Sequence, residues 1–370
     1  MKILFLYLRG FSQIGGIEKF NRAFMKALND TSIDNAKLKY AVLSLYDDKP
    51  DLRYVESKYF HGCDKNKIYF LFNSLVQIIR SDKIILGHIN LSVIGFIAKL
   101  FSKEVILVAH GIEVWNADSS IKNYMLRNAD LILSVSRFTK SKILEKSSIN
   151  PEKIVVFPNT LDPYFKFNNT SQSIGLKKKY GIHSGSKIVL TVSRLSSKEQ
   201  YKGYEKVINV LPGIISNFPD VKYLIVGGGD NSEINRIKIL IEDLNLQDEV
   251  VLTGEIVDDE LNELYRTADV FIMPSFGEGF GIVFIEALAN GLSVIAGNKD
   301  GSTDPLMDGK LGILVDPCSS DQIKNALIET LNKQINEDIQ NRDFLKAEVQ
   351  RNFGFNRFKE NLNTVLKINI

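Results

Sequence analysis

The chain alternates short apolar runs with longer stretches whose apolar residues recur every three or four positions. In the first half the runs are Ile3–Leu8, Tyr40–Leu45, Ile84–His88, Val105–Ala109, Leu131–Val135 and Ile154–Phe157. In the second they are Ile188–Val192, Tyr223–Val226, Val250–Leu252, Val270–Met273, Val294–Ala296 and Ile313–Val315. Most carry no charge, the pattern of parallel strands covered on both faces. Between them lie helical periods: GGIEKFNRAFMKAL places Ile17, Phe20, Phe24 and Leu28 along one face. The pattern predicts an α/β chain of two doubly wound parallel-sheet halves. Residues 168–186, polar and lysine-rich with Gly175, Gly181 and Gly185, read as a linker. The expected domains are 1–165 and 187–352, joined by 166–186. The tail, with Phe355, Phe358, Leu362 and Val365 at helical spacing, predicts a packed amphipathic helix over about 353–370. Two facing sheets of this kind leave a cleft at the carboxyl ends of their strands, where ligands are expected.

Composition narrows the class. A length of 370 residues suits two domains, and 44% hydrophobic with 24% charged residues is ordinary for a globular protein. Charge is unevenly spread: residues 1–170 hold 24 Lys/Arg against 16 Asp/Glu, and the remainder 22 against 28. A basic first half suits an anionic partner or membrane surface, and equally an incidental surface bias. Cys63 and Cys318 lie far apart, so no disulfide framework is implied, and no Cys/His cluster has zinc spacing. The apolar core of MKILFLYLRG is too short for a signal peptide. The uncharged stretch Ile84–Ala98 is shorter than a membrane span. These features predict a cytoplasmic protein, with peripheral membrane contact left open.

Four strand-end loops carry candidate chemistry. SFGEGFGIVFIEALANG (275–291) follows the strand ending at Met273. Its glycines let backbone approach a ligand, and a helix N-terminus offers free N–H groups, which together suit a phosphate. Glu278 is misplaced against a phosphate but suits neutral sugar hydroxyls; Glu286, about two turns into the helix, suits the paired hydroxyls of a ribose. The plainer alternative is an acid complementing the helix dipole and a surface glutamate. SRLSSKEQYKGYEKVI (193–208) adds Arg194 and Lys202, a diphosphate clamp or two solvated cations. GFSQIGGIEKF puts Gly15 and Gly16 after the first strand, and VAHGIEVW puts His110 at a strand end. VGGGDNSE (226–233) lacks the third glycine of a dinucleotide fingerprint and follows the second strand of its half, so it is not an NAD site.

Taken together, GGIEKF, HGIEVW, LILSVSRFTKSKI with VVFPNTLD, SRLSSKEQYKGY, LIVGGGD and EGFGIVFIEALANGLSVIA make the chain resemble the family 4 retaining glycosyltransferases of the GT-B fold over nearly its whole length. The resemblance implies an acceptor-side first domain, a nucleotide-sugar-binding second domain, and a terminal helix crossing back onto the first. It implies that Glu278 holds donor-sugar hydroxyls and Glu286 the ribose. Arg194 and Lys202 neutralise the diphosphate, helped by backbone N–H groups of Gly279, Phe280 and Gly281. The base rests near Glu255, Ile256 and Val257, Gly15 and Gly16 admit the donor phosphate and acceptor, and His110 contacts the sugar near the reacting carbon. The implied activity is metal-independent transfer of a hexose from a UDP- or GDP-linked donor such as GDP-mannose, with no cofactor, to a glycan or lipid-linked hydroxyl in surface polysaccharide (lipopolysaccharide or capsule) synthesis. No Asp-x-Asp occurs to hold a bridging metal. The alternatives are a non-catalytic partner subunit, an epimerase and a phosphorylase. Departures from the family pattern include seven residues between Arg194 and Lys202, which lets Lys198 compete for the clamp, Thr160 in place of glycine, Ser293 in place of proline, and Asp304 in place of glutamate.

Overall fold

The computed structural model of the chain describes residues 1–116, 119–146, 148–167 and 174–368. They form two compact units, one of Met1–Phe165 with Asn352–Ile370 and one of Lys166–Arg351. The first unit is built on β1 (Lys2–Tyr7), β2 (Lys39–Ser44), β3 (Phe60–Gly62), β4 (Lys83–Leu86), β5 (Glu104–Ala109), β6 (Leu131–Ser134) and β7 (Ile154–Val156). The second has β8 (Ile188–Val192), β9 (Lys222–Val226), β10 (Val250–Gly254), β11 (Val270–Met273), β12 (Val294–Gly297) and β13 (Ile313–Val315). The orders are β3-β2-β1-β4-β5-β6-β7 and β10-β9-β8-β11-β12-β13. All neighbours within these sheets pair in parallel.

The apolar runs form strands because helices cover both sheet faces. In the first unit one core gathers Leu4, Leu6, Ile84 and Leu107, and the other Ile3, Phe5, Ile85 and Ile106, the alternate residues of the same strands. Each sheet reverses strand order once, between β1 and β4 and between β8 and β11. Loops leaving the carboxyl ends there diverge and open a crevice.

Two expectations change. The edge strand β3 escapes the hydrophobic pattern because it is three residues long and pairs on one side only. The linker is not wholly irregular: residues 168–173 lie outside the described residues, but Ile174–Lys179 is a helix. Leu176, Tyr180 and Ile182 are buried, so part of the segment packs as structure.

The helix Phe355–Leu366 seats Phe358, Leu362 and Leu366 in the first unit's core. The Phe358 ring lies 5.6 Å from Phe20 and 4.8 Å from Phe157. Thr31 Oγ1 donates to Asn363 Oδ1 at 3.0 Å. Thr160 earns its departure from glycine, since its Oγ1 donates to the Phe353 carbonyl at 2.8 Å.

Candidate functional site

In the second unit, the loops after β8 and β11 meet at the switch point. After β8 the chain runs through a 3₁₀ turn, Gln200–Lys202, to the helix Tyr204–Ile215. Gly203 sits at φ 82°, and a Cβ there would lie 2.4 Å from the Pro274 carbonyl oxygen. A side chain at Gly277 would lie 2.7 Å from the Tyr201 ring. The Phe276 N–H donates to the Tyr201 carbonyl at 3.1 Å. Glycine is thus required where these backbones touch, and the contact brings Lys202 to Glu278. Lys202 Nζ donates to Glu278 Oε1, with both side chains mostly buried.

Arg194 takes a different partner. Its guanidinium lies 3.5 Å from Glu199 Oε1 and is about half exposed. Lys198 is also exposed. The structure therefore places Lys202, not Lys198, against the acidic loop and leaves Arg194 toward solvent.

The acidic loop is held from below by Asp300, which is fully buried. Its carboxylate accepts from the Glu278 N–H at 2.7 Å, Ser275 Oγ at 2.7 Å and the Ser302 N–H at 2.9 Å. The Gly301 N–H donates to the Glu278 carbonyl at 2.9 Å. Burial raises the Asp300 pKa against these hydrogen bonds. Sequence reasoning missed Asp300 because it follows β12, and only the pairing of β12 with β11 brings it under the loop.

The helix here is Ile282–Ala289, started by Gly281 at φ 83°. Glu286 therefore lies just over one turn in, not two. Nor is it on the surface: it is 7% exposed and accepts from Tyr265 Oη at 3.3 Å. Phe280 has a buried side chain, so only its backbone can serve a ligand. Among the described residues, the N–H groups of Gly279 and Gly281 donate no backbone hydrogen bond. Those donors follow Glu278 closely in the chain.

The three glycines 227–229 have a packing reason. Side chains at Gly227 and Gly229 would lie 2.1 Å from the Ser193 carbonyl oxygen and 1.7 Å from that of Leu195, and one at Gly228 would lie 2.7 Å from Glu255. They let the end of β9 press on the Arg194 loop. Glu255 and Val257 are exposed beside it, with Ile256 partly buried. Asp230 then accepts from the Ser197 and Glu233 N–H groups, both at 2.9 Å.

Beneath the turn, the carboxylate of buried Glu233 is held down to about 2, first by Arg236, with Tyr204 Oη at 2.6 Å and Gln200 Nε2 at 2.9 Å also donating to it. Through Gln200 this network fixes the residues that carry Lys202.

In the first unit, Gly15 precedes the helix Gly16–Asp34, and Glu18 folds back so closely that a Gly15 Cβ would lie 2.3 Å from its Oε2. An acid at this mouth was not expected. His110 directly follows β5; its ring lies 5.0 Å from Phe20 of that helix. His110 Nε2–H donates to the Gly87 carbonyl at 2.9 Å, leaving Nδ1 as acceptor, and burial lowers the ring's pKa so that it is neutral. Glu113 Oε1 accepts from the His110 and Gly111 N–H groups at 2.7 and 3.1 Å. His110 thus packs against Phe20 of the helix that Gly15 and Gly16 open.

Residues 174–347 match the sequence family described as glycosyl transferases group 1. Over 242 residues the chain is 30% identical to the GDP-mannose-dependent alpha-(1-6)-phosphatidylinositol monomannoside mannosyltransferase of Mycolicibacterium smegmatis, covering 62% of this chain and 61% of that protein. Over 212 residues it is 27% identical to the D-inositol 3-phosphate glycosyltransferase of Corynebacterium glutamicum, covering 56% and 50%. The chain thus spans between half and two thirds of the length of these curated relatives. Across 99% of both chains it superposes on the Anabaena protein HepE, solved with UDP-glucose, with a TM-score of 0.78 at 20% identity. That likeness fixes the fold as GT-B, in agreement with the two parallel sheets. The segment that matches the group 1 glycosyl transferases lies in the second unit of this GT-B fold, around the joined loops that carry Lys202 and Glu278.

Proposed function

We propose that the protein is a retaining hexosyltransferase that takes its sugar from a nucleoside-diphosphate donor, GDP-mannose or a UDP-hexose. The observation that carries this reading is the convergence of Lys202, Glu278 and the open Gly279 and Gly281 N–H groups at the switch point of the second sheet. The curated relatives named for a GDP-mannose donor and the structural neighbour holding UDP-glucose support a nucleotide sugar while differing on the base.

In this reading the second unit binds the donor and the first the acceptor, a glycan or lipid-linked hydroxyl in surface polysaccharide synthesis. The diphosphate draws Lys202 off Glu278, and the freed carboxylate accepts hydroxyls of the sugar. Arg194 swings from Glu199 onto the same diphosphate. Glu286 takes the ribose, and the base lies along Glu255–Val257. His110 Nδ1 accepts from a sugar hydroxyl. The bond from the anomeric carbon to the phosphate oxygen breaks as the acceptor oxygen bonds to that carbon on the same face. The acceptor proton passes to the leaving phosphate, whose charge the two cations stabilise without a bridging metal. The basic first half suits work at the cytoplasmic face of an anionic membrane. Among the described residues no helix is long and apolar enough to cross one.

Thermal shift with UDP, GDP, ADP and CMP tests the reading. One nucleoside diphosphate should raise the melting temperature selectively, by an increment that grows with the logarithm of its concentration. No shift with any of them, in folded protein, rejects the donor site.

A further inference from the structure

On one face of the first unit's sheet lie the neighbouring helices Lys67–Ile79 and Ser92–Leu100. Phe70 and Ile78 of one, with Ile94 and Ala98 of the other, enter the same core. Such helices ordinarily turn polar residues outward. These do not. Ile68, Phe72 and Ile79 are 82%, 64% and 60% exposed, with Leu75 completing the ridge. On the second helix Val93 and Leu100, seven residues apart, are 52% and 69% exposed, and Phe101 follows. Lys103 Nζ donates to the Ile79 carbonyl at 3.2 Å and ties the two helix ends together.

The two helices contain no acidic residue, and their only charges are Lys67 and Lys99. Exposed cations stand at the rim: Lys65 and Lys67 at one end of the first helix and Arg80 at the other. Asp64 and Asp82 share those ends, but Asp82 turns back to accept the Lys2 N–H at 2.7 Å. Lys99 is paired with Asp130. An apolar face edged by cations, in the half of the chain with the basic excess, is complementary to acyl chains beneath a layer of phosphates.

We infer that this two-helix face docks the protein on an anionic lipid surface. Ile68, Phe72, Leu75 and Ile79 also follow the alternating four- and three-residue spacing of a helix–helix seam. A seam is narrow, however, whereas Tyr69 and Leu71 are exposed on its flanks and the apolar surface continues onto the second helix. That breadth, together with the lack of any acidic residue on either helix, favours lipid over a second copy. The inference deepens the lipid-acceptor part of the proposed function, but its test reads binding, not turnover.

The full chain is sedimented with phosphatidylcholine vesicles, with and without phosphatidylglycerol. It should pellet with the anionic vesicles, less so at high salt. Replacing Phe72, Ile79 and Leu100 together by Ser should weaken partitioning roughly tenfold or more. Replacing Lys65, Lys67 and Arg80 by Glu should weaken it on anionic vesicles alone. The nucleotide-induced thermal shift should persist in both variants, which separates failed docking from a failed donor site. Should the apolar triple variant not fold, Phe72→Trp serves in its place, with emission expected to shift to the blue on vesicles. A wild-type chain that stays in the supernatant, a triple variant that pellets normally, or unshifted emission overturns the inference. So does a dimer that the triple variant dissociates in a chain vesicles do not capture.

Discussion

The two switch-point loops, one in each unit, solve the same backbone problem with the same device and differ in what they leave facing a ligand. In the first, buried Asp47 accepts from the N–H groups of Gly10, Phe11 and Ser12 and from Ser44 Oγ, at 2.8 to 3.2 Å. In the second, buried Asp300 does this for Glu278, Ser275 and Ser302. A buried carboxylate is costly unless hydrogen-bonded, and a loop with unpaired N–H groups is costly too, so each offsets the other. Near the first loop Glu18 folds back on Gly15, Glu113 is turned to N–H groups, and burial lowers the pKa of both His88 and His110. The second keeps an ion pair, Lys202 with Glu278, whose members can be separated by a charged ligand. In the proposed function, this difference is the reason that the second loop takes the diphosphate.

The sharpest way to break this comparison is to remove the cations. Lys202→Ala should lower turnover about a hundredfold or more, and Arg194→Ala somewhat less, by analogy with the loss of a group stabilising a leaving charge. Steady-state rates with the donor identified by thermal shift measure this, and wild-type rates in both variants would sink the clamp.

A smaller effect separates the two aspartates. Asp300→Ala strands the Glu278 and Ser302 N–H groups, while Ser275 Oγ keeps Ser302 Oγ at 3.0 Å, a loss of about 2–4 kcal/mol, and should also abolish the nucleotide-induced shift because Glu278 is no longer held. Asp47→Ala should destabilise by about 1–3 kcal/mol, since Phe11 and Ser12 have access to water, yet preserve the shift. If both variants lose the shift, or neither does, the loops are not distinguished in this way.

The effect that is smallest near neutrality, and grows with acid, concerns pH. Burial, then the neighbouring His110, pushes the His88 pKa down to about 3, while its Nδ1 accepts from the Asn90 N–H at 3.0 Å. Below the ordinary value of 6.5 the unfolded chain takes up a proton that the folded chain refuses. Stability should therefore decline as pH falls from about 6.5 toward 3. His88→Asn keeps an acceptor for the Asn90 N–H and removes the titration. Melting temperatures across this range should fall less steeply in the variant, and parallel curves would remove His88 from the explanation.

Glu278 and Glu286 were legible because their spacing is local, as was the glycine-rich approach to the helix Ile282–Ala289. Glu286 as a buried group with Tyr265 was not, since nothing nearby in the sequence announces the packing that covers it. The glycines 227–229 were visible in the sequence, but their packing reason, the close passage of residues 193–195 and 255, belongs to segments far apart in the chain. The outward apolar residues of Lys67–Ile79 were visible as letters, and only burial of the opposite face showed which of them point to solvent.

By itself, the sequence determined the alternation of strand and helix, the glycine positions and the inventory of charged groups, because periodicity and backbone freedom are local properties. The tertiary structure alone decided which charges meet. Sheet order sets β8 beside β11 and β11 beside β12, placing Lys202 over Glu278 and Asp300 beneath it, and no spacing along the chain encodes that pairing.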